Sequence, residues 1–405
     1  MLPLLTTPRQ HLCKDLPNAS RPPSFKNHVS VSSNVAISGT SGSCLGHQCS
    51  GECRQPGAGH HRPEHAQCPD HGAFGDGVHN DTAAFQSALV GLGAAGGTVE
   101  VPAGKYMIDT ATGIVMLNAT RLLLDNGAEL DAIPNNYANH NGLVMINGVS
   151  NVEITGGQIV GERNQHIGTT GEWGHGIYVI GGKHVDIHDT QVSNFWGDGI
   201  YITRLIGAPD NSPGYSQSIR IYYVTSQNNR RQGLTVEAAQ RVWVGYSKFL
   251  NTSGTAPQDG IDIEPNDPNY PSDDIEIGTS EISGNAGTGI DISNNDTNIA
   301  IKQSTIENNA GFGIQAIQSS QGTILGNTIS GNGFPGIQMH GGAQNYQIDG
   351  NNFSNNAFTW NGMSDSPQYD VYVGNVVFNT KGLQTFKSAL NIEHSGNQVD
   401  GQPVD

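Results

Sequence analysis

The stretch QDGIDIEP, residues 258–265, places three carboxylates within six residues. Its centre alternates apolar and polar residues, which is typical of a β-strand with one buried and one open face. Ile261 and Ile263 are therefore expected to point inward, and Asp262 and Glu264 to point outward, side by side. In one isolated strand this pattern would indicate only a solvated polar face, so its meaning depends on whether it recurs.

The pattern recurs along the chain, each time after a glycine. The recurring phrases are GHGIYV at 174–179, GDGIYI at 197–202, RQGLTV at 231–236, QDGIDI at 258–263, TGIDI at 288–292, FGIQAI at 312–317 and PGIQMH at 335–340. Their leading glycines, from Gly176 to Gly336, are 23, 34, 27, 29, 24 and 23 residues apart. A repeat of this length indicates a solenoid, in which each unit has one apolar face and buries it by stacking on its neighbours.

Each repeat contains two further strand-like segments. An apolar pair follows the glycine strand: Val185/Ile187, Ile219/Ile221, Val242/Val244, Ile275/Ile277 and Ile299/Ile301. A third segment ends in asparagine-rich turns at 282–285, 306–309, 329–332 and 353–356. Asparagine and glycine adopt the left-handed backbone conformation of a tight corner at little cost. Three short strands without a helical period describe one coil of a parallel β-helix, whose handedness the sequence order does not determine.

The inward positions of the glycine strands predict one aliphatic stack. Its members are Ile177, Ile200, Leu234, Ile261, Ile290, Ile314 and Ile337.

Composition and charge narrow the classes of function. The 405 residues would fill two or three ordinary domains, but a solenoid grows by adding coils rather than by enlarging one core. The net charge of −17 argues against a nucleic-acid partner, which requires a basic surface, and against binding to an anionic membrane. The sequence has no apolar run long enough to span a bilayer, so membrane insertion is not expected.

Residues 1–67 differ from the repeats, because they are rich in Ser, Pro, His and Cys and show no period. All five cysteines, from Cys13 to Cys68, lie in this segment or at its edge. A zinc site is one interpretation, but the spacing is not a paired CxxC framework and the number is odd. We expect residues 1–67 to be a disordered or non-native leader that adds nothing to the fold. Residues 68–405 are expected to form the β-helix domain, with an N-terminal cap and C-terminal closing coils.

The sequence at the start of the domain predicts a helix that caps the first coil. In DHGAFGDGVHNDTAAFQSAL (70–89), Asn80 or Asp81 would begin a helix that ends at Gly96-Gly97. The apolar face of this helix would consist of Phe85, Leu89 and Leu92. A solenoid needs such an element to cover the open apolar end of its first coil.

GAFGDGVHNDTAAFQSAL and VPAGKY, together with the coils to about residue 360, resemble the pectate lyase superfamily. The resemblance implies an all-β protein, a single-stranded right-handed parallel β-helix, with a polysaccharide as its partner. It also implies an extracellular or cell-surface location, although Met1–Leu5 is too short for the apolar core of a secretory signal. Members include polygalacturonase-type hydrolases, lyases, uronate epimerases and phage tailspikes, so the fold alone does not select a reaction.

Insertions distinguish the coils between Gly142 and Gly289. They occupy residues 161–173, 204–217, 251–258 and 266–273. Loops on a rigid scaffold are where binding is usually built. Neighbouring strands lie about 4.8 Å apart, so the outward side chains of these stacked coils are expected to share one wall. The coils led by Gly289, Gly313 and Gly336 are lean by comparison.

This wall carries the candidate functional residues. The residues just before each glycine are His175, Asp198, Gln232 and Asp259; two positions after it stand Tyr178, Tyr201, Thr235, Asp262 and Asp291. We predict that catalysis falls to Asp198, Arg231, Asp259, Asp262 and Glu264. Substrate binding is predicted for Arg163, Trp173, His175, Tyr178, Trp196, Tyr201, Arg230 and Glu237. Aromatic rings beside carboxylates and arginines suit a sugar chain, which offers C–H faces and hydroxyls. The alternative is that the rings merely stack and the exposed ion pairs add a little stability.

Two further resemblances bear on the reaction. QDGIDI is similar to the NTDGID stretch of polygalacturonase-type hydrolases, which would put the family's catalytic aspartate at Asp259. DGIDIEP is similar to the active strand of alginate epimerases, which would match Asp262. The next coil lacks the hydrolases' Asp-Asp pair, no matching His-Gly or Arg-x-Lys motif follows, and Glu264 stands where the epimerases have histidine. Neither mechanism therefore transfers in detail.

Residue types then favour glycoside hydrolysis of an acidic polysaccharide, because that reaction needs two carboxylates, one protonated and one ionised. A lyase or uronate C5-epimerase is an alternative, with Arg230, Arg231, His175 and Tyr201 as sources of a base and of a partner for the uronate carboxylate. A non-catalytic glycan-binding rod, such as a tailspike-like adhesin, is the alternative from another class.

Hydrolysis requires no cofactor, and the sequence contains no P-loop, HExxH or GxSxG motif. Calcium near Asp262, Glu264 and Asp267 is left open, because the spacing is not that of an EF-hand loop. The sequence does not predict an oligomeric state.

Overall fold

The computed structural model describes residues 65–356, 369–373 and 390–403. Within these ranges the chain winds in coils whose strands form three faces. The first face consists of Ile114–Val115, Gly142–Asn147, His175–Ile180, Ile200–Thr203, Leu234–Val236, Ile261–Ile263, Ile290–Ile292, Ile314–Ile317, Ile337–His340 and Tyr369–Val373. All its neighbouring strands pair in parallel except the last, Tyr369–Val373, which is antiparallel.

The other two faces belong to one continuous sheet. The second face consists of Lys183–His188, Ser216–Tyr222, Ala239–Gly245, Asp273–Gly278, Thr297–Lys302, Thr323–Leu325, Gln344–Asp349 and Leu390–Ser395. The third face consists of Gln191–Ser193, Thr225–Gln227, Lys248–Leu250, Glu281–Ser283, Thr305–Glu307, Thr328–Ser330, Asn352–Ser354 and Gln398–Val399. Ser150–Val160 runs through both faces in the coil before them, and Gln402–Pro403 closes the sheet as an antiparallel pair with Gln398–Val399.

The aliphatic stack is confirmed. Ile177, Ile200, Leu234, Ile261, Ile290, Ile314 and Ile337 pair in register and are fully buried. The apolar pairs of the second face stack in the same way, from Val185 and Ile187 to Ile299 and Ile301. Every coil therefore adds the same layer of buried branched side chains, and the prediction of a parallel β-helix is correct.

The asparagine turns form a ladder at the corner after the third face. Its members are Asn285, Asn309, Asn332 and Asn356. Each of the first three donates a hydrogen bond to its equivalent in the next coil. Asn285 Nδ2 donates to Asn309 Oδ1 at 2.8 Å, and Asn309 Nδ2 donates to Asn332 Oδ1 at 3.0 Å. Each of these amide groups also donates to a main-chain carbonyl of the preceding coil, as Asn309 does to Ile282. Buried polar groups at the corner are thus paired from coil to coil.

The N-terminal cap is a helix, Thr82–Leu92, with two 3₁₀ turns, Cys68–His71 and Gly93–Ala95. The side chain of Asn80 accepts hydrogen bonds from the main chain and hydroxyl of Thr82, at 3.0 and 2.6 Å. Phe85, Leu89 and Leu92 are fully buried, as predicted. The helix ends at Leu92 rather than at Gly96-Gly97, because Gly93 adopts a positive φ of 66°.

The strands around the cap begin before the expected domain boundary. They are His65–Gln67, Asp76–Asn80, Gly97–Val101, Gly104–Ile108 and Thr120–Ala132. His65–Gln67 pairs in parallel with Gly97–Val101, and Cys68 is fully buried. The fold therefore includes residues 65–67, which the sequence analysis assigned to the leader. The rest of the predicted leader, residues 1–64, lies outside the described residues.

Among the described residues, no helix combines the length and apolar character needed to cross a bilayer.

Candidate functional site

The outer surface of the first face lies between two sets of loops in the central coils. Because the strands are parallel, the loops that precede them gather on one side and the loops that follow them gather on the other. The preceding loops are residues 133–141, 161–174 and 251–260; the following loops are residues 204–215 and 264–272. We call the strand surface between them the floor. The preceding loops, together with the residues just before each strand of the first face, are called the loop wall.

The floor changes its chemistry from coil to coil along one ladder of outward residues. In register these are Met145, Tyr178, Tyr201, Thr235, Asp262, Asp291, Gln315 and Gln338. Aromatic rings therefore give way to a hydroxyl, then to two carboxylates, and then to amides. The predicted shared wall is present in this ladder.

Histidines complete the aromatic end of the floor. The ring of His140 stacks on Trp173 with centroids 3.9 Å apart, and its Nδ1 lies 3.3 Å from Nε2 of His175. His175 is fully buried, stacks on Tyr201 at 4.6 Å, and accepts a hydrogen bond at Nδ1 from the main-chain N–H of Asp198. Burial lowers the pKa of His175 well below its usual value, and the pKa of His140 is also lowered, mainly by partial desolvation of its stacked ring and then by the charge of Arg231. Both rings are therefore neutral at neutral pH.

A buried ion pair follows in the next coil. Asp198 is fully buried, and its Oδ2 accepts hydrogen bonds from Thr235 Oγ1 at 2.9 Å and from Arg231 Nη1 at 3.2 Å. Burial raises the pKa of Asp198 to about 6, although Arg231 and Thr235 favour the ionised form. Arg231 also lies 3.4 Å from Glu172 and faces the ring of Trp173 at 5.1 Å. This arginine therefore bridges the floor and the loop wall.

Gln232 connects the two aspartates of the QDGIDIEP stretch. Its Oε1 accepts the main-chain N–H of Asp259 at 2.8 Å, and its Nε2 donates to Asp262 Oδ2 at 2.7 Å. Oδ1 of Asp259 accepts the main-chain N–H of Thr288. Burial raises the pKa of Asp259 to about 7, while the hydrogen bond from Thr288 favours its ionised form.

Asp262 and Asp291 are register partners on adjacent strands, and each has a buried Oδ1 without a hydrogen-bond partner among the described residues. Burial raises the pKa of both carboxyl groups well above the usual value, and the charge of Glu264 raises them further. Like charges this close favour protonation of at least one group. Burial and mutual repulsion therefore both favour a protonated carboxyl group in this pair.

Glu237 and Tyr201 form a separate hydrogen-bonded group beside the floor. Tyr201 Oη donates to Glu237 Oε2 at 2.9 Å, and Thr203 Oγ1 donates to the same oxygen at 2.6 Å. Burial raises the pKa of Glu237 and of the Tyr201 hydroxyl. The hydroxyl thus keeps its proton and holds the carboxylate in place.

Three predicted binding residues lie in the loop wall rather than on the floor. Arg230 faces the ring of Trp196 at 3.7 Å, and Trp196 stacks on His166 at 3.9 Å. Arg163 Nη1 donates to the main-chain oxygens of residues 228 and 229, at 2.7 and 3.1 Å. Arg163 thereby attaches the 161–174 loop to a corner of the coil, and its contact with a substrate stays a prediction.

The QDGIDIEP strand was predicted to expose Asp262 and Glu264, and this prediction is wrong for Asp262. Asp262 is only 2% exposed, because Gln232 and the neighbouring coils enclose it. Glu264 is exposed and accepts a hydrogen bond from Asn294 Nδ2 at 2.9 Å. Alternation correctly predicted which residues point away from the core, but the outward position is itself covered here.

His140 is the site residue that the sequence analysis missed. It lies in the loop before Gly142–Asn147, outside the glycine phrases from which the candidates were taken. The available signal was the segment HNGLVMIN at 140–147, which is one more apolar strand opened by a glycine, one coil earlier.

The carboxylates do not form an evident metal cage. Asp267, the third residue considered for calcium, accepts hydrogen bonds from the main chain and side chain of Asn269 in an exposed loop. The described part of the chain contains no group of three or more His, Cys, Asp or Glu side chains arranged to hold a metal ion. Calcium dependence stays a prediction.

Comparisons with known proteins agree with this architecture. The model of the family described as right handed beta helix region matches residues 107–270 and 258–401. The uncharacterized protein YclG of Bacillus subtilis is 30% identical over 187 residues, which is 41% of this chain and 32% of YclG. The chain thus spans about a third of the length of the curated relatives it matches.

Solved structures with a similar fold carry different activities in their names. The A-module of mannuronan C-5 epimerase AlgE6 from Azotobacter vinelandii is 18% identical, with a TM-score of 0.58, over 84% of this chain and 91% of that one. A family 28 exopolygalacturonase from Yersinia enterocolitica is 12% identical, with a TM-score of 0.56, over 85% of this chain and 76% of that one. The Dettilon tailspike protein is 18% identical, with a TM-score of 0.57, over 83% and 61%. At these identities the likeness concerns the fold, and it confirms the predicted right-handed parallel β-helix.

Proposed function

This chain belongs to the family described as right handed beta helix region, and we propose that it cleaves an acidic polysaccharide by glycoside hydrolysis on the floor of its central coils. The observation that carries the proposal is the pair Asp262 and Asp291. Two adjacent carboxyl groups with unpaired inner oxygens and raised pKa values supply a proton at neutral pH. A protonated carboxyl group is what a glycosidic oxygen needs as it leaves.

Asp262 is the proposed acid and Asp259 the proposed base. Asp262 donates its proton to the leaving oxygen, while Gln232 fixes the orientation of its carboxyl group. Asp259, with a pKa of about 7 and a main-chain donor on Oδ1, is ionised from neutral pH upward and activates a water. Environments that separate the pKa values of neighbouring carboxyl groups are the pattern expected of an acid and base pair.

The rest of the floor and its wall supply binding groups for a sugar chain. Trp173, Tyr178 and the exposed His140 offer ring surfaces at one end. Arg231 carries a positive charge beside them and offers donors to a uronate carboxylate, which arginine binds well. A polymer of acidic sugars is therefore the substrate class that fits. An extracellular or cell-surface location would follow from such a substrate and stays a prediction.

One observation favours elimination or epimerisation as the second candidate. His140 is exposed and neutral and lies beside Tyr178, with Arg231 close to the same aromatic group. A neutral imidazole near a cation is suited to remove a proton next to a neutralised carboxylate. In that case His140, rather than Asp259, would act as the base.

A panel of neutral and acidic polysaccharides tests the proposal with two measurements, new reducing ends and the ultraviolet absorbance of unsaturated uronates. Hydrolysis predicts reducing ends without absorbance on at least one acidic polymer, and Asp262→Asn should abolish them. Reducing ends together with absorbance would replace hydrolysis by elimination. Binding without either signal would overturn cleavage; a changed uronate composition of the recovered polymer would then indicate epimerisation, and an unchanged polymer a non-catalytic glycan-binding rod.

A further inference from the structure

A second group of aromatic residues lies on the outer surface of the second face, away from the floor. It consists of His188, Tyr222, Tyr223, Trp243 and Tyr246, which we call the aromatic strip. The strip crosses three successive coils, whose second-face strands pair in register. None of its members takes part in the chemistry proposed for the floor.

Trp243 lies flat on the sheet because the residue two positions later is a glycine. A Cβ atom at Gly245 would stand only 2.4 Å from Cζ2 of the indole, so any other residue there would displace the ring. In the next coil Gly278 is the register partner of Gly245, and a Cβ there would meet nothing closer than 3.7 Å. The half-buried indole and this bare stretch of main chain together form a flat surface.

Two tyrosines rise beside that flat surface. Tyr223 and Tyr246 are 56% and 52% exposed, and their rings stack with centroids 5.2 Å apart. Tyr246 meets Trp243 edge-on, at 6.3 Å and 70°. The strip therefore has a flat base and an upright side, the form that a sugar ring fills with one C–H face down and its hydroxyls outward.

Ion pairs flank the strip, and its own His188 contacts two carboxylates, Glu153 at 3.0 Å and Asp189 at 2.7 Å. The pairs are Arg220 with Asp186, Lys302 with Glu276, and Lys248 with Glu281. In a chain with a net charge of −17, these three pairs cancel their own charges beside the strip. Balanced ion pairs attract neither a polyanion nor a polycation, but their oxygens and N–H groups accept and donate hydrogen bonds to hydroxyls.

A protein partner fits this surface less well, because the centre of a protein interface is depleted in charged residues. Here Trp243 lies between Arg220 and Glu276, its register partners in the coils on either side. Rings interleaved with paired charges suit a hydroxylated, uncharged ligand.

We infer that the aromatic strip is a second, non-catalytic glycan-binding surface, and that it takes a neutral hexose segment. The inference rests on the proposed function only for the chemical class of the ligand. On another face of the rod, it would bind neutral sugars of a polymer whose acidic sugars reach the floor.

Affinity electrophoresis in gels that contain soluble neutral polymers, such as a β-glucan, a mannan or a galactan, tests the inference. All proteins carry Asp262→Asn, so that cleavage does not affect mobility. We expect at least one neutral polymer to retard the parent protein. Trp243→Ala should weaken that binding by about tenfold, the upper range for one aromatic contact.

Gly278→Gln provides a second variant that does not remove any packing. Gly278 has no positive φ and open space around it, so the fold tolerates a side chain that covers the flat surface. It should weaken binding like Trp243→Ala. Thr323→Ala, on the same face in a lean coil, should not.

Three results would overturn the inference: no retardation by any neutral polymer, unchanged binding in both variants, or a change of sedimentation mass in Trp243→Ala, which would make the strip a contact between copies. The assay measures binding without turnover, so it remains decisive even if the floor proves not to cleave any glycan. Conversely, restoring Asp262 in the Trp243→Ala protein should leave hydrolysis of short acidic oligosaccharides at the parent rate.

Discussion

The coils led by Gly176 to Gly260 and those led by Gly289 to Gly336 share one core and differ on the outside. Both sets bury the same aliphatic stack in the same register. On the floor ladder, however, the last two coils carry Gln315 and Gln338, whose side chains bind each other at 3.1 Å, and only the Gly289 coil at the border still carries a carboxylate, Asp291. The central coils carry rings and carboxylates at these positions. Stability and chemistry therefore occupy opposite sides of the same strands.

The loops show the same division. In the central coils, residues 204–215 and 264–272 separate consecutive strands, whereas residues 293–296 suffice one coil later. These insertions enter at the corners and leave the stacked strands in register. A coil is thus free to acquire a wall without changing its contribution to the core.

The strongest test of this difference places the glutamine of the lean coils at the equivalent floor position of a central coil. Asp262→Gln should lower turnover by about a hundredfold or more, the scale expected for loss of acid–base catalysis. Folding should survive, because glutamine already stands at positions 315 and 338 of the same ladder. The reducing-end assay and thermal unfolding measure the two effects.

Gln315→Ala is the matched control for that substitution, and it should leave turnover unchanged. Parent turnover in Asp262→Gln would show that the carboxylate end of the floor is structural. Unfolding of Asp262→Gln would show that core and surface are not separable in these coils.

A second substitution removes a buried side chain from the asparagine ladder of a lean coil and leaves the floor unchanged. Asn309→Ala leaves the main-chain N–H of Asn285 and the carbonyl of Ile282 without their side-chain partner. We expect a loss of about 2–4 kcal/mol in the free energy of unfolding, the cost of leaving buried polar groups unpaired. Turnover of the folded protein should not change. Asn352→Ala, at an exposed position of the third face, should cost less than about 0.5 kcal/mol.

The pH profile of turnover tests the role of one central residue. If Asp259 is the base, kcat/KM should fall about tenfold for each pH unit below its pKa of about 7. This limb should vanish in Asp259→Asn, together with most of the activity. A profile whose acidic limb stays at the same pH in that variant would assign the base to another group.

Asp296 lies where the last central coil meets the first lean coil, and the pH dependence of the free energy of unfolding tests its role there. It is fully buried, its Oδ1 accepts the main-chain N–H of Ser272 at 2.7 Å, and burial raises its pKa well above the usual value. The folded protein keeps this proton while the unfolded chain releases it above about pH 4. Stability should therefore decrease as the pH rises from about 4 to the folded-state pKa, by about 1.4 kcal/mol per unit.

Asp296→Asn keeps the acceptor for Ser272 and cannot ionise. Denaturant unfolding should give similar stabilities for parent and variant near pH 4 and a more stable variant at pH 8. Parallel pH curves would show that Asp296 does not titrate differently in the two states.

The sequence predicted the inside of this protein well, because burial repeats with the coil. Gly176 and its equivalents located the strands, and alternation identified Ile261 and Ile263 as core residues. The cap helix was found from the polar residues at its start, but its end was misplaced, because Gly93 and Gly96 are equally suitable by residue type.

The outside was predicted less completely, because it depends on loops that have no period. His140 comes from such a loop and joins the floor through contacts with Trp173, His175 and Tyr178. The burial of Asp262 depends on Gln232, a residue 30 positions away. The sequence suggested a substrate contact for Arg163, whereas its guanidinium binds main-chain carbonyls of another coil. Such distant contacts between side chains leave no local pattern.

The register between coils also determines how the molecule would respond to mechanical force. The hydrogen bonds between successive strands run along the rod axis, so tension on the two ends of the described unit would load one coil interface at a time. Each detached coil of 23 residues would release about 80 Å of extended chain. Stretching should therefore yield many small steps rather than one cooperative rupture, with longer steps where the coils carry insertions.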